Sequence, residues 1–145
     1  MKIKTIEGER HVLAVTVDNE AGILAKITGL FSARGYNIES LTVADISADH
    51  ALSRITIVTV GPPQVIDQII AQLDRLVPVH SVTDLTDQGA HVEREIALVK
   101  VAGTGDKRIE ALRMADVFRA KVVDTTLTSF VFEITGTSDK VTDKF

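Results

Sequence analysis

The 145-residue chain contains no cysteine and no tryptophan, and only three prolines. Without cysteine it cannot form disulfides, thiolate metal ligands or thiol nucleophiles. Its net charge of -4 argues against a broad electrostatic interaction with nucleic acid or anionic lipid. No run reaches the roughly 18 apolar residues of a membrane span, and the first ten residues lack the apolar core of a signal peptide. We therefore expect a soluble, cytoplasmic protein.

The histidines show none of the spacings found in metal-binding motifs, and they fall on different predicted elements: His11, His50, His80 and His91. No metal site is therefore expected. Gly103 and Gly105 precede a predicted helix, but a Gly-x-Gly-x-x-Gly pattern fails at Arg108. These glycines are predicted to form a strand–helix connection rather than a phosphate-binding loop.

Acidic residues are common, but their spacing suggests no catalytic arrangement. Asp45, Asp49, Glu93 and Glu95 fall in predicted loops or at strand ends, where we expect no histidine or serine partner nearby. We therefore predict that they lie on a solvated surface. The Glu93–Glu95 cluster is open to a second interpretation, in which it helps to seat a partner protein. No nucleophile, base and oxyanion hole can be assembled, so the chain is not predicted to be an enzyme.

The first 85 residues alternate between strand-like and helical patterns. Strands are predicted over 11–17, 36–45, 52–60 and 79–85 from their β-branched residues. Two apolar stripes at helical spacing separate them, one from Ile23 to Phe31 and one from Val65 to Leu73. Gly35 is predicted to end the first helix. The order βαββαβ predicts a ferredoxin-like α+β fold, with both helices on one face of an antiparallel sheet.

A sheet with one uncovered face and open edges commonly recruits a second copy. We therefore expect dimers that form either side by side or face to face.

The rest of the chain begins a weak repeat of the same pattern. After a polar linker, a strand is predicted over 95–101, followed by a helix with apolar residues at Ile109, Leu112, Ala115 and Phe118. A hairpin is then predicted over 122–127 and 130–134. The residues after Ile134 suggest the opening of a further helix without its body. We therefore expect this second unit to be truncated.

The junction between the first strand and helix, Asp-Asn-Glu-Ala-Gly at residues 18–22, suggests a binding site. A helix start leaves backbone N–H groups unpaired and carries partial positive charge, and glycine allows a ligand to approach the main chain closely. The carboxylate of an amino acid suits such a site. In an alternative interpretation, Asp18 or Asn19 simply caps the helix and Gly22 relieves crowding.

Several motifs occur together in one order. They are DNEAGIL, GLFSARGYNIESLTVA, ALSRITIVTVG, GAHVEREIALVKV, FRAKVVD and FEITGTSDK. In these motifs, which run from about His11 onward, the chain resembles the small, regulatory subunits of acetohydroxyacid synthase, also called acetolactate synthase. The resemblance implies an N-terminal extension over 1–10, an ACT domain over 11–86, a linker over 87–92, and an incomplete ACT-like domain over 93–145.

The resemblance also implies a function. The chain is expected to bind the catalytic subunit, raise its activity and confer feedback inhibition by a branched-chain amino acid, with valine preferred. Thiamine diphosphate, magnesium and FAD are expected in the catalytic subunit, and no cofactor is expected in this chain. ACT domains of this family pair, and their effector sites lie at the pairing interface.

The resemblance further implies which residues bind the effector. Asn19 and the backbone of Glu20, Ala21, Gly22 and Ile23 are expected to receive its polar groups. Asn37 and Ile38 are expected to reach the effector held by the neighbouring subunit, through a hydrogen bond and an apolar contact respectively. Read alone, Asn37 is more typical of a turn or a cap.

Two other functions remain open at this stage. ACT domains occur in many proteins, so the chain could be a stand-alone amino-acid sensor for another enzyme, a transporter or a transcription factor. A small ferredoxin-like enzyme of the acylphosphatase sort would need an arginine in the loop after the first strand. Asp18, Asn19 and Glu20 stand there instead, so the charge is unsuitable.

Overall fold

A computed structural model describes residues 8–137 and 140–141. The chain divides into two compact units, Met1–His91 and Val92–Phe145. Within the described ranges, no helix is long and apolar enough to cross a membrane.

The first unit has the predicted order of elements. These are β1 (Glu9–Asp18), α1 (Ile23–Ala33), β2 (Ser40–Asp45), β3 (Leu52–Gly61), α2 (Pro63–Asp74) and β4 (Val79–Asp84). The strands form one antiparallel sheet in the order β2-β3-β1-β4. The βαββαβ prediction is therefore confirmed, and β2 and β4 are the two edge strands.

The core of this unit lies between the sheet and both helices. Alternate residues of β1 and β3 are buried against the apolar stripes of α1 and α2, as strand and helix periodicities require. The fully buried members include Leu13, Val15, Val17, Ile27, Phe31, Ile55, Ile57, Ile69 and Leu73. Neither α1 nor α2 packs on the opposite face, which has small side chains such as Ala14, Thr16 and Thr56 that are half-buried.

The prediction that the second strand starts at Tyr36 was wrong. Gly35 adopts a left-handed conformation with φ 69°, as expected for a residue that ends a helix. The N–H of Tyr36 then donates to the carbonyl of Phe31 at 2.9 Å, and the two rings meet edge to face. Because Tyr36 is held to the end of α1, strand β2 begins only at Ser40.

The second unit comprises β5 (Glu95–Ala102), α3 (Asp106–Val117), β6 (Lys121–Thr125) and β7 (Ser129–Gly136). Its antiparallel sheet has the order β5-β7-β6. Gly103 and Gly105 lie in the connection from β5 to α3, as predicted. Phe130, Phe132 and Ala115 form its buried cluster. The helix predicted after Ile134 falls mostly outside the described residues.

The apolar stripe predicted on the second unit's helix is not buried as a whole. Ala115 is buried, but Ile109 is 51% exposed and Leu112 is 39% exposed. Phe118 lies at the end of α3 and lines an apolar cavity of about 210 Å³, together with Val101, Ala111, Met114, Ala115, Ala120, Phe132 and Ile134. Within the described residues a three-stranded sheet faces a single helix, so the stripe has less surface to pack against.

Candidate functional site

The turn between β1 and α1 presents unpaired backbone donors. Gly22 is the N-cap of α1 with φ 85°, and no side chain among the described residues caps the start of this helix with a hydrogen bond. The amides of Leu24 and Ala25 have no acceptor within the described parts of the chain. A Cβ built at Gly22 would meet nothing within 4 Å, so the approach to these amides is open. This is the geometry that binds a small anion.

The alternative in which Asp18 or Asn19 caps the helix is therefore wrong. Asn19 instead faces the hairpin between β2 and β3. Its side-chain nitrogen Nδ2 donates to the backbone carbonyl of His50 at 2.9 Å and to Asp45 Oδ1 at 3.4 Å. Its backbone N–H donates to the carbonyl of Ala51 at 2.9 Å. Asn19 is thus held to the hairpin by three hydrogen bonds.

Asp45, which we predicted to have no histidine or serine partner, has both. His50 Nδ1 lies 2.7 Å from Asp45 Oδ2, and Ser53 Oγ donates to Asp45 Oδ1 at 3.2 Å. These hydrogen bonds, His50 first and Ser53 second, hold the pKa of Asp45 below its ordinary value of 3.8. Ser53 lies opposite Asp45 in the register of β2 with β3, and partners in an antiparallel register lie side by side, but the predicted strands did not fix that register.

Asp49 was also predicted to lack a serine partner, and this was wrong as well. A hydrogen bond from Ser47, followed by one from the Ala51 amide, lowers the pKa of Asp49. The distance from the Ala51 nitrogen to Asp49 Oδ1 is 3.1 Å.

Two further carboxylates lie beside the same turn, each close to a nitrogen of another side chain. Asp18 Oδ1 is 2.6 Å from His80 Nε2, and Glu20 Oε1 is 3.6 Å from Lys26 Nζ. With Asp45, three carboxylates therefore lie near a helix start that carries partial positive charge. The turn offers donors for an anion and acidic groups for a cation, which suits a zwitterion.

The other predicted site residues, Asn37 and Ile38, lie in the segment just before β2. Asn37 is exposed, and its backbone carbonyl accepts a hydrogen bond of 2.7 Å from Thr59 Oγ1. Asn37 also borders a cavity of about 260 Å³, lined by Gly35, Tyr36, Asn37, Thr59, Val60, Gly61, Pro62, Val65 and Ile69. Ile38 does not line this cavity, since it packs half-buried against the core.

The structure does not bring the two groups of predicted residues together within one chain. Asn19 is bonded to Ala51 just before β3, whereas Asn37 is bonded to Thr59 near the end of β3. Those anchors are eight residues apart, which corresponds to about 25 Å of extended strand. Asn19 to Ile23 form one half of the predicted site, and Asn37 and Ile38 form the other half at the opposite end of the sheet.

One group of residues in the described part of the chain could offer ligands to a metal. Donor atoms of His11, Asp84 and Asp87 lie within 4.8 Å of one another. However, His11 Nδ1 is 2.7 Å from Asp84 Oδ2, and Asp84 Oδ1 accepts from the Thr86 amide at 3.0 Å. Asp84 therefore already has partners for both oxygens, which is sufficient to explain its position beside the buried His11.

Comparison with known families assigns both units. The profile of the acetohydroxyacid synthase small subunit-like ACT domain matches residues 13–81. The profile described as the small subunit of acetolactate synthase matches residues 94–145. The two matches cover the β1–α1 turn, the start of β2 and the second unit.

Similar proteins come from bacteria and archaea. The chain is 51% identical to the acetolactate synthase isozyme 3 small subunit of Salmonella typhimurium, over 91% of this chain and 80% of that protein. It is 44% identical to a probable acetolactate synthase small subunit of Archaeoglobus fulgidus, over 91% of this chain and 81% of that protein. A crystal structure of the acetolactate synthase small subunit from Thermotoga maritima superposes with a TM-score of 0.83 at 36% identity, covering 94% of this chain and 84% of that one.

Proposed function

Because the chain belongs to the family of acetolactate synthase small subunits, we propose that it binds the catalytic subunit of that enzyme, raises its activity and confers feedback inhibition by valine. The chain is the regulatory component, and the chemistry belongs to the catalytic subunit with its thiamine diphosphate, magnesium and FAD. The observation that carries the effector proposal is the open helix start after Gly22, where the amides of Leu24 and Ala25 find no acceptor among the described residues and three carboxylates lie nearby.

Valine matches this turn in charge and in shape. Its carboxylate suits the amides at the start of α1, its ammonium suits the acidic side of the turn, and its branched tail needs an apolar wall. Ile23 begins α1 but packs in the core, whereas Leu24 in the same first turn is 42% exposed and offers part of that wall. Valine has about eight heavy atoms, so a micromolar affinity would need roughly 1 kcal/mol from each, near the ceiling for small ligands. We expect a dissociation constant of tens of micromolar or weaker.

A second copy of the chain would complete the site. Strand β2 is an edge strand with exposed side chains, among them Val43 at 48%. If β2 pairs antiparallel with β2 of a second copy, the start of one strand lies beside the end of the other. Asn37 and Ile38 of one copy then approach Asp45 of the other, which is in contact with Asn19. This pairing joins two half-sites that a single chain holds apart.

An effector that spans two copies provides a route to feedback. Valine can shift an equilibrium between two arrangements of the dimer if it binds one arrangement better than the other. Couplings of this kind are typically about 1 to 3 kcal/mol. Such a shift alters the surface that the dimer offers to the catalytic subunit.

The test is reconstitution with a purified catalytic subunit. Acetolactate formation is measured for the catalytic subunit alone, with the chain, and with the chain plus valine, leucine or isoleucine. We expect the chain to raise the rate and valine to reverse that gain. Titration calorimetry of the chain with the same amino acids measures effector binding directly. Activation without any effect of the three amino acids would retain the subunit assignment and reject the effector assignment.

A further inference from the structure

We infer that Asp45 and the backbone of His50 are positioning elements for the effector site, which lock Asn19 so that its carbonyl oxygen receives the ammonium group of the bound amino acid. This inference rests on the proposed function of the β1–α1 turn. It adds two residues of the β2–β3 hairpin to the site. It also assigns the orientation of the Asn19 amide, with the nitrogen toward the hairpin and the oxygen toward the ligand.

The direction follows from the hydrogen bonds of Asn19. A side-chain amide has two N–H donors on its nitrogen and an acceptor oxygen opposite them. Nδ2 has two acceptors in the hairpin, the carbonyl of His50 at 2.9 Å and Asp45 Oδ1 at 3.4 Å. With both donors directed at the hairpin, the oxygen is the polar atom of this side chain that remains for a ligand.

The charges around Asn19 favour the same direction. Asp45 accepts hydrogen bonds from Asn19, Ser53 and His50, and it is therefore held as a carboxylate beside the amide nitrogen. A ligand carboxylate placed there would be repelled by Asp45. The start of α1 has unpaired amides, so the negative end of a zwitterion belongs there and the positive end belongs at Asn19.

Asp45 itself is held in place by the rest of the hairpin. His50 has φ 56°, a left-handed conformation that is uncommon for a residue with a side chain. In this conformation His50 directs its carbonyl to Asn19 and its ring to Asp45. His50 therefore accepts one hydrogen bond from Asn19 through its carbonyl, and through its ring it stabilises Asp45, which accepts the other.

The experiment is a double-mutant cycle read by valine titration of the purified full chain. We compare wild type, Asp45→Ala, Asn19→Ala and the double variant. If Asp45 acts through Asn19, Asp45→Ala weakens valine binding by about threefold to tenfold, the usual range for one hydrogen bond. The same change made in the Asn19→Ala background then has no further effect. Asp45→Asn retains an acceptor for Asn19 and should recover part of the affinity.

A matched control lies on the same hairpin. Among the described residues, Asp49 accepts from Ser47 and from the Ala51 amide and makes no hydrogen bond with Asn19, so Asp49→Ala should leave valine affinity unchanged. Equal losses from Asp45→Ala with and without Asn19 would overturn the inference, because they would show that Asp45 affects binding by another route. Equal losses from Asp45→Ala and Asp49→Ala would also overturn it, because the cause would be general damage to the hairpin.

A second measurement separates this inference from the proposed function. The side-chain N–H signals of Asn19 in ¹⁵N-correlated spectra report their acceptors without any ligand. In Asp45→Ala the N–H directed at Asp45 should move toward the position of a solvated amide, while the N–H bound to the His50 carbonyl keeps its acceptor; both signals should stay in place in Asp49→Ala. If wild type binds none of the three branched-chain amino acids, the effector proposal fails. Unmoved Asn19 signals in Asp45→Ala would show that Asp45 does not hold Asn19 at all.

Discussion

Thr59 Oγ1 donates a 2.7 Å hydrogen bond to the backbone carbonyl of Asn37. Thr59 lies near the end of β3, an inner strand of the sheet, and is 1% exposed, whereas Asn37 is at the surface. This bond therefore ties the segment before β2 to the buried core. The bond fixes the position of Asn37 relative to the sheet, and thereby the position of that half of the candidate site.

Thr59→Val should lower the free energy of unfolding by about 1 kcal/mol, because one buried hydrogen bond is lost while shape and β-branching are retained. Urea unfolding monitored by circular dichroism measures this change. Thr56→Val on the same strand is the control, since the side chain of Thr56 makes no hydrogen bond within the described part of the chain and is only half-buried. Equal losses in the two variants would contradict a specific role for the bond to Asn37.

Gly22→Asp should abolish the response to valine and leave activation of the catalytic subunit intact. The new carboxylate would stand at the start of α1, where the effector carboxylate is proposed to bind, and it would repel it. Acetolactate assays of the reconstituted enzyme with and without valine measure both properties.

Gly22→Asn is the matched control for this variant. Gly22 has φ 85°, and asparagine and aspartate tolerate that conformation better than other residues with a Cβ, so the two variants carry similar backbone strain of about 1 kcal/mol. The asparagine variant should retain more of the valine response, because it adds similar bulk without charge. Loss of activation in both variants would point to a folding defect instead.

Asn37→Ala should weaken valine binding while the dimer is preserved, because it removes a side-chain amide and leaves the backbone bond from Thr59 in place. Titration calorimetry measures the affinity, and analytical ultracentrifugation measures the assembly. A valine affinity equal to that of wild type would remove Asn37 from the proposed site.

His50→Ala should raise the pKa of Asp45 toward its ordinary value of 3.8, because the hydrogen bond from His50 is the largest cause of its lowering. Carboxyl chemical shifts followed by NMR during an acid titration measure this pKa. Asp49 is an internal control: its pKa is lowered by Ser47 and Ala51, so it should not change. A pKa of Asp45 that is the same in both proteins would exclude His50 as the cause.

The same pKa sets the pH range over which Asp45 stabilises the hairpin. Its pKa is lower in the folded chain than the ordinary value of 3.8. The stabilising contribution of the carboxylate is therefore fully present above the unfolded value and is lost as the pH falls through the folded value. Contacts between Asp45 and Asn19 should consequently be unchanged across neutral pH.

Most of the fold could be predicted from local patterns. Strand alternation and helical stripes identified all six elements of the first unit in order, because burial on one face imposes a period that is visible in the sequence. The predicted start of the second strand, Tyr36, was four residues too early, since β2 begins at Ser40. Hydrogen bonding of Tyr36 to the end of α1 is a contact that periodicity does not report.

The candidate site could be predicted only partly from the sequence. Gly22 could be placed at the strand–helix junction because the apolar helical stripe begins directly after it, and it is indeed the N-cap of α1. The partners of Asp45 were missed, because they depend on how the hairpin folds back and on its register with β3. Ile109 and Leu112 of α3 are exposed, because an apolar stripe shows that a helix can be buried and does not show how much surface is available to cover it.

The sequence by itself determined the order of the elements and the glycines at which the chain turns, since both follow from preferences within a few residues. Only the tertiary structure decided that Asn19 is held by Asp45 and His50, which are 26 and 31 residues away along the chain. It also decided that Asn19 and Asn37 lie at opposite ends of one sheet. The reason is physical: distances between side chains far apart in the sequence are set by strand order and register, and these emerge only when the whole sheet packs against its helices.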